Sequence, residues 1–179
     1  MNTSAKTARM TKMAMLVAVS IVLMAVIRIP FPPAPFLEYD PADVPILIGA
    51  FAFGPVAGLI LTVIVCLVQG VTVSAASGPI GILMHFFATG SFVLTAGLIY
   101  KANKSKKGAI LGLFAGILVM TTTMVIWNIL FTPIFMGISV KEVLPMLIPI
   151  IIPFNLLKSG INGVVTYLTY KSISGYLHR

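Results

Sequence analysis

Residues 148–163, Ile148-Pro-Ile-Ile-Ile-Pro-Phe-Asn-Leu-Leu-Lys-Ser-Gly-Ile-Asn-Gly163, run into the last long apolar segment of the chain and yet carry Asn155, Lys158 and Asn162. These positions are spaced i, i+3 and i+7, so a helix places all three on one face. A lysine in the middle of a membrane segment costs about 2.5–3.5 kcal/mol on insertion scales unless it meets a partner or a wet cavity. One alternative is a lysine that snorkels to the interface while the amides pack against neighbouring helices. The other is a ligand site, which polar intramembrane residues mark by default.

The composition surrounding this stretch is that of a polytopic membrane protein. Of 179 residues, 59% are hydrophobic and only 9% charged, and the mean hydropathy is +1.08, outside the range of soluble domains. Every stretch between apolar blocks is short, so residues 1–179 read as a single membrane domain. Cys66 is the one cysteine, so no disulfide forms within the chain. The net charge of +8 does not indicate nucleic-acid binding, because the basic residues flank apolar segments rather than forming a patch.

The apolar pattern predicts an all-α integral membrane protein of six transmembrane helices, at about 13–29, 41–53, 56–73, 79–100, 108–131 and 150–170. The first follows a basic start with no small-residue cleavage site, so it reads as a retained helix rather than a signal peptide. Ala14 and Ala18 on it have the small-xxx-small spacing that lets another backbone approach, inside the chain or from a partner. Pro30, Pro32, Pro33 and Pro35 then make 30–43 an extended, stiff connection. Asp40-Pro41-Ala42-Asp43 has the form of a helix start, with Asp40 as N-cap and Pro41 at N1; direct ligand contact is the other role open to the two acids. Glu38 and Tyr39 have no such local role.

The second helix is too short to cross alone: thirteen residues span about 20 Å against about 30 Å of hydrocarbon. Either its start is recessed or the next segment completes the crossing. Ser139 and Glu142 match a capping box, which predicts a short surface helix over Val140–Met146. Trp127 suits an interfacial belt, and His85 reads as a histidine satisfying a neighbouring carbonyl rather than a metal ligand. Six helices put both termini on one side, together with Lys6, Arg9, Lys12, Lys101, Lys104, Lys106, Lys107, Lys171 and Arg179. All four acids (Glu38, Asp40, Asp43 and Glu142) fall on the other side. The positive-inside rule then makes both termini cytoplasmic.

Near the outer face, Asn128, Asn155 and Lys158 come to similar depth, surrounded by Phe, Leu, Ile and Met. Such a pocket suits a flat, partly polar small molecule. It does not suit hydrolysis or group transfer: no HExxH, phosphate loop, paired inward carboxylates or Ser/His/Asp set is present. Two histidines and one cysteine, ungrouped, do not make a metal site. A channel would need a charge ring or carbonyl filter, and a secondary transporter usually shows internal repeats. A membrane enzyme would need catalytic groups gathered at one depth, and a structural scaffold would not need three polar residues on one face.

The basic start with TKMAMLVAVSIVL, the segment EYDPADVPILIGAF, the turn SGPIG and the motif IPFNLLKSG together resemble the substrate-binding S-components of energy-coupling factor (ECF) vitamin transporters, above all the riboflavin-specific ones. The resemblance covers essentially the whole chain in order. It implies the six-helix S-component fold in a bacterial cell membrane, no enzymatic activity and no cofactor other than riboflavin as the transported ligand. It also implies partners: a membrane T-component, met by Ala14 and Ala18, and two ATP-binding subunits. Asn128, Asn155 and Lys158 would meet the uracil-like edge of the flavin. Leu37, Glu38, Tyr39 and Asp40 would contribute from the covering loop, and Gly78 and Pro79 would line the mouth. Other S-components bind thiamine or biotin on the same fold, so the cargo stays open between these and riboflavin. A three-step cycle follows: capture from outside, closure of the 30–43 loop, and ATP-driven reorientation by the partners.

Overall fold

A computed structural model describes residues 3–177; His178 and Arg179, the latter among the charges counted above, lie outside the described residues. The chain forms α1 (Thr3–Val26), a hairpin of β1 (Ile29–Phe31) and β2 (Ala34–Tyr39), then α2 (Asp43–Phe53) and α3 (Pro55–Val71). A short 3-10 turn, Ala75–Ser77, leads into α4 (Gly78–Ala102). α5 (Lys106–Met136), α6 (Val140–Met146), a π-turn over Leu147–Ile151 and α7 (Ile152–Leu177) complete it.

Four segments among the described residues are long and apolar enough to cross a membrane: Ala5–Val26, Ala75–Ala102, Lys106–Met136 and Val140–Ser174. α2 and α3 are shorter apolar helices, about 16 Å and 26 Å long at 1.5 Å per residue. α2 is the centre of the bundle. Every residue from Asp43 to Phe51 is buried, as expected of a helix that is apolar on all sides. It packs against α1, α3, α4 and α7, so its length is set by its protein neighbours.

The chain reverses after α2 at Gly54, whose φ of 98° lies in a region that residues with a Cβ rarely enter. Pro55 then opens α3 at a position where its missing N–H is harmless. α4 and α5 approach closely along their length. A Cβ at Gly112 would lie 2.9 Å from the Ala96 carbonyl oxygen, so only glycine permits that separation. Phe92, Val93, Leu47 and Leu61 fill the core between these helices. At the lysine-rich end of α4, Phe51, Tyr100 and Tyr170 form an aromatic cluster with ring centres 4.4–5.7 Å apart. Trp127 stacks on Phe87 at 3.9 Å and on Phe131 at 5.0 Å.

Several elements differ from the sequence reading. The all-α description omits the hairpin: the proline-rich connection pairs antiparallel, with Ile29 opposite Tyr39 and Pro30 opposite Glu38 and an irregularity at Phe31. In a two-stranded ribbon both strands are edges, so a proline can sit where its absent N–H would face outward. α1 starts earlier than residue 13, and α5 continues through Pro133 to Met136 before Gly137 ends it with φ 66°. α2 starts at Asp43 with Ala42 as its N-cap and no side-chain cap, so the capping role expected of Asp40 and Asp43 gives way to tertiary contacts described below. The π-turn before α7 accommodates Pro149, which cannot donate in a regular ladder. The capping box of α6 forms as expected, with Glu142 accepting from both the backbone and the hydroxyl of Ser139.

Candidate functional site

The apolar run of α7 carries its polar residues inward. Lys158 and Asp40 form an ion pair at 2.7 Å, with side-chain exposures of 5% and 4%. An isolated charge at that depth would be expelled or neutralised; a hydrogen-bonded pair is tolerated. The other carboxylate oxygen of Asp40 accepts the Ala42 N–H at 3.1 Å. Asp40 is thus the counter-ion of Lys158 and orders the start of α2 through its neighbour's backbone. An ammonium has three donors, so Lys158 retains N–H groups for a guest.

Beside this pair, Asn162 donates to Asp43 Oδ2 at 3.1 Å and to the Asp40 carbonyl at 3.2 Å, and accepts from the Tyr39 hydroxyl at 3.1 Å. Thr89 donates to the other Asp43 oxygen at 2.7 Å. Asn162 and Asp43 therefore have their hydrogen bonds met within the protein. They bind α2, α4 and α7 together.

Against this network lies a cavity of about 370 Å³, within the range of small-molecule sites. Asn128, Asn155 and Lys158 form one wall, and Met84, Met120 and Met124 are among its apolar lining. Each asparagine is held by its own helix: Asn128 donates to Met124 O at 2.7 Å and Asn155 to Ile151 O at 2.8 Å. Thr132 donates to Asn128 Oδ1 at 2.8 Å. Each amide keeps one further N–H, and its oxygen a further lone pair. Two rigidly held amides and an ammonium on an apolar wall can read the polar edge of a planar ligand. They supply no nucleophile and no general base.

Of the remaining residues singled out from the sequence, Leu37, Glu38 and Asp40 line the cavity. Tyr39 does not; it is turned onto Asn162. Gly78 and Pro79 are not among the lining residues either, and the neighbouring Ser77, Ile80 and Gly81 are. The positive φ of Gly78, 56°, serves the entry into α4. Ala14 and Ala18 are away from the cavity, on the exposed face of α1.

Arg28 and Gln69 also line the cavity and were not predicted from the sequence. Arg28 pairs with Glu38 and donates to the Val73 carbonyl at 2.7 Å, joining the base of the hairpin to the end of α3. Gln69 and His85 bridge α3 and α4 at 2.9 Å, and all four of Arg28, Glu38, Gln69 and His85 line the cavity. The signal was available: Gln69 is the one amide in an apolar helix, the same anomaly that drew attention to Asn155.

With this geometry in view, comparison with known proteins is specific. The family model of the ECF transporter substrate-specific component matches residues 8–170. The riboflavin transporter RibU of Staphylococcus aureus (strain TCH60) is 36% identical over 178 residues, covering 96% of this chain and 93% of the relative. The riboflavin transporter FmnP of Bacillus subtilis (strain 168) is 28% identical, covering 97% and 96%. A solved structure of the S component of a bacterial ECF transporter superposes with a TM-score of 0.83 at 35% identity, over 97% of this chain and 99% of that one. Its relatives are named transporters, not enzymes. The chain is a multi-pass membrane protein and belongs to the family of substrate-specific components of ECF transporters.

Proposed function

We propose that this protein is the riboflavin-capturing subunit of an ECF importer in the cytoplasmic membrane of a bacterium, with six membrane-crossing helices and both termini inside. The observation that carries this reading is the juxtaposition of Asn128, Asn155 and Lys158 on one wall of a cavity that Met84, Met120 and Met124 also line. Isoalloxazine offers carbonyl acceptors and an N–H donor along one edge and an apolar xylene at the other. That polarity matches the wall and the methionine-rich lining. The names of the full-length relatives point to the same cargo.

In this reading vitamin enters from outside and the hairpin β1–β2 closes over it. A T-component docked on α1 at Ala14 and Ala18, with two ATP-binding subunits, then drives reorientation towards the cytoplasm. The exposed small-residue face of α1 supports that docking. The decisive experiment is to purify the chain in detergent, record its visible absorption, and titrate riboflavin while following flavin fluorescence. Stoichiometric quenching that disappears in Asn155→Leu is the expected result. Unchanged flavin fluorescence would overturn the cargo and direct the titration to biotin and thiamine.

A further inference from the structure

At the other end of α4 from the cavity, the corner between α2 and α3 and the turn between α4 and α5 enclose a second recess of about 160 Å³. Its floor is apolar, formed by Ala50, Phe51, Ala52 and Phe53, and Lys101 and Lys104 stand at its rim. Phe51 is held by Tyr100 and Tyr170, so the floor is rigid. From α1, Arg9 donates to the Phe53 carbonyl at 3.0 Å, and its guanidinium lies 5.8 Å from the Phe53 ring centre. The charge here is one-sided. The chain's acids are Glu38, Asp40, Asp43 and Glu142, placed in the hairpin, at the start of α2 and in the cap of α6. None is at this end.

We propose that this recess binds the headgroup of an anionic membrane phospholipid, with Lys101 and Lys104 on the phosphodiester and the acyl chains leaving over the outer faces of α3 and α4. Basic pockets between membrane helices recognise lipid phosphates in this manner. A membrane lipid fits better than a free anion because the site is half apolar. Leu98 is three positions before Lys101, hence on the same helical face, and is 51% exposed; Val56, just beyond the corner, is 68% exposed. A soluble phosphate would answer the two ammoniums and leave that apolar surface uncovered.

The test is native mass spectrometry of the full chain released from detergent, titrated with phosphatidylglycerol or with phosphatidylcholine of the same acyl chains. One phosphatidylglycerol should be retained at a concentration about tenfold below that needed for phosphatidylcholine. K101Q/K104Q should abolish that preference, while K106Q/K107Q, which removes the same charge outside the recess, should keep it. Equal losses from both pairs would mean diffuse surface charge and overturn the site. Equal retention of the two lipids, or full displacement of phosphatidylglycerol by millimolar inorganic phosphate, would also overturn it. Circular dichroism melting confirms that each variant is folded, and K104Q alone replaces the double variant if that one unfolds. The experiment uses no flavin, so its outcome is independent of the cargo.

Discussion

The ammonium of Lys158 donates to the carboxylate of Asp40 across 2.7 Å, although 118 positions separate them in the chain. This contact fixes the junction of the hairpin and α2 against α7. It also presents Lys158 at the cavity wall in a defined position, with Asn155 one turn away on the same face. The pair thus links the end of the hairpin to the cavity wall that carries Asn155.

Removing one partner of the pair should be far worse than removing both. Lys158→Ala leaves a buried carboxylate without its cation and should destabilise the protein by about 3–5 kcal/mol. Adding Asp40→Asn should recover most of that loss, because no uncompensated charge remains. Thermal unfolding in detergent reads both. An Asp40→Asn, Lys158→Ala chain less stable than Lys158→Ala would contradict this assignment.

The two asparagines should both govern binding, and Asn155 should do so without affecting folding. Their remaining donors and acceptors face the cavity, so Asn128→Leu and Asn155→Leu should each weaken riboflavin by about 1.5–3 kcal/mol, roughly ten- to a hundredfold. The melting temperature of Asn155→Leu should stay near the parent value, whereas Asn128→Leu also leaves the Thr132 hydroxyl without its acceptor and should lose about 1–3 kcal/mol of stability. Flavin fluorescence titration of the purified variants gives the affinities; undiminished affinity in both would move the ligand edge to another wall.

Asp43 should matter for stability alone. Asp43→Ala leaves buried Thr89 and Asn162 without their acceptor, at about 1–3 kcal/mol for each group left unmade. Adding Thr89→Val removes one orphan and should restore part of the loss. A double-mutant cycle by thermal unfolding measures this coupling, and strict additivity would show that the Thr89 contact is unimportant.

The α4–α5 approach should tolerate no side chain at residue 112. Gly112→Val places a branched side chain against the Ala96 carbonyl and should cost about 1–3 kcal/mol or more by overpacking. The same substitution at Gly160, where a Cβ would meet nothing within 4 Å, should be much milder. Comparing the two melting temperatures is sufficient.

Ala14→Leu with Ala18→Leu should leave the purified protein unchanged. Both positions are exposed, and exposed substitutions usually shift stability by under about 0.5 kcal/mol. Riboflavin titration should give parental affinity, whereas uptake of labelled riboflavin by cells carrying the partner subunits should fall sharply. Full uptake with the variant would place the docking surface elsewhere.

The features that short-range chemistry controls were legible in the residues. The inward face of α7 follows from the spacing of Asn155, Lys158 and Asn162. The corner at Gly54-Pro55 follows from what a glycine permits and a proline lacks. The cap of α6 follows from Ser139 and Glu142 being three residues apart. Each depends on atoms within two helical turns of one another, so the local sequence is enough.

Tertiary structure decided who answers whom. Asp40 read as a helix cap because its neighbours Pro41 and Asp43 have that form, but burial against α7 makes it the counter-ion of Lys158. The prolines of 30–35 argued against regular structure, and only the pairing of Ile29–Phe31 with Ala34–Tyr39 shows that the connection forms a hairpin. Arg28, Gln69 and His85 reach the cavity because of how α3, α4 and the hairpin pack, which no local pattern records. A buried charge or amide must find a partner; its own sequence states that need, and the packing of distant helices supplies the partner.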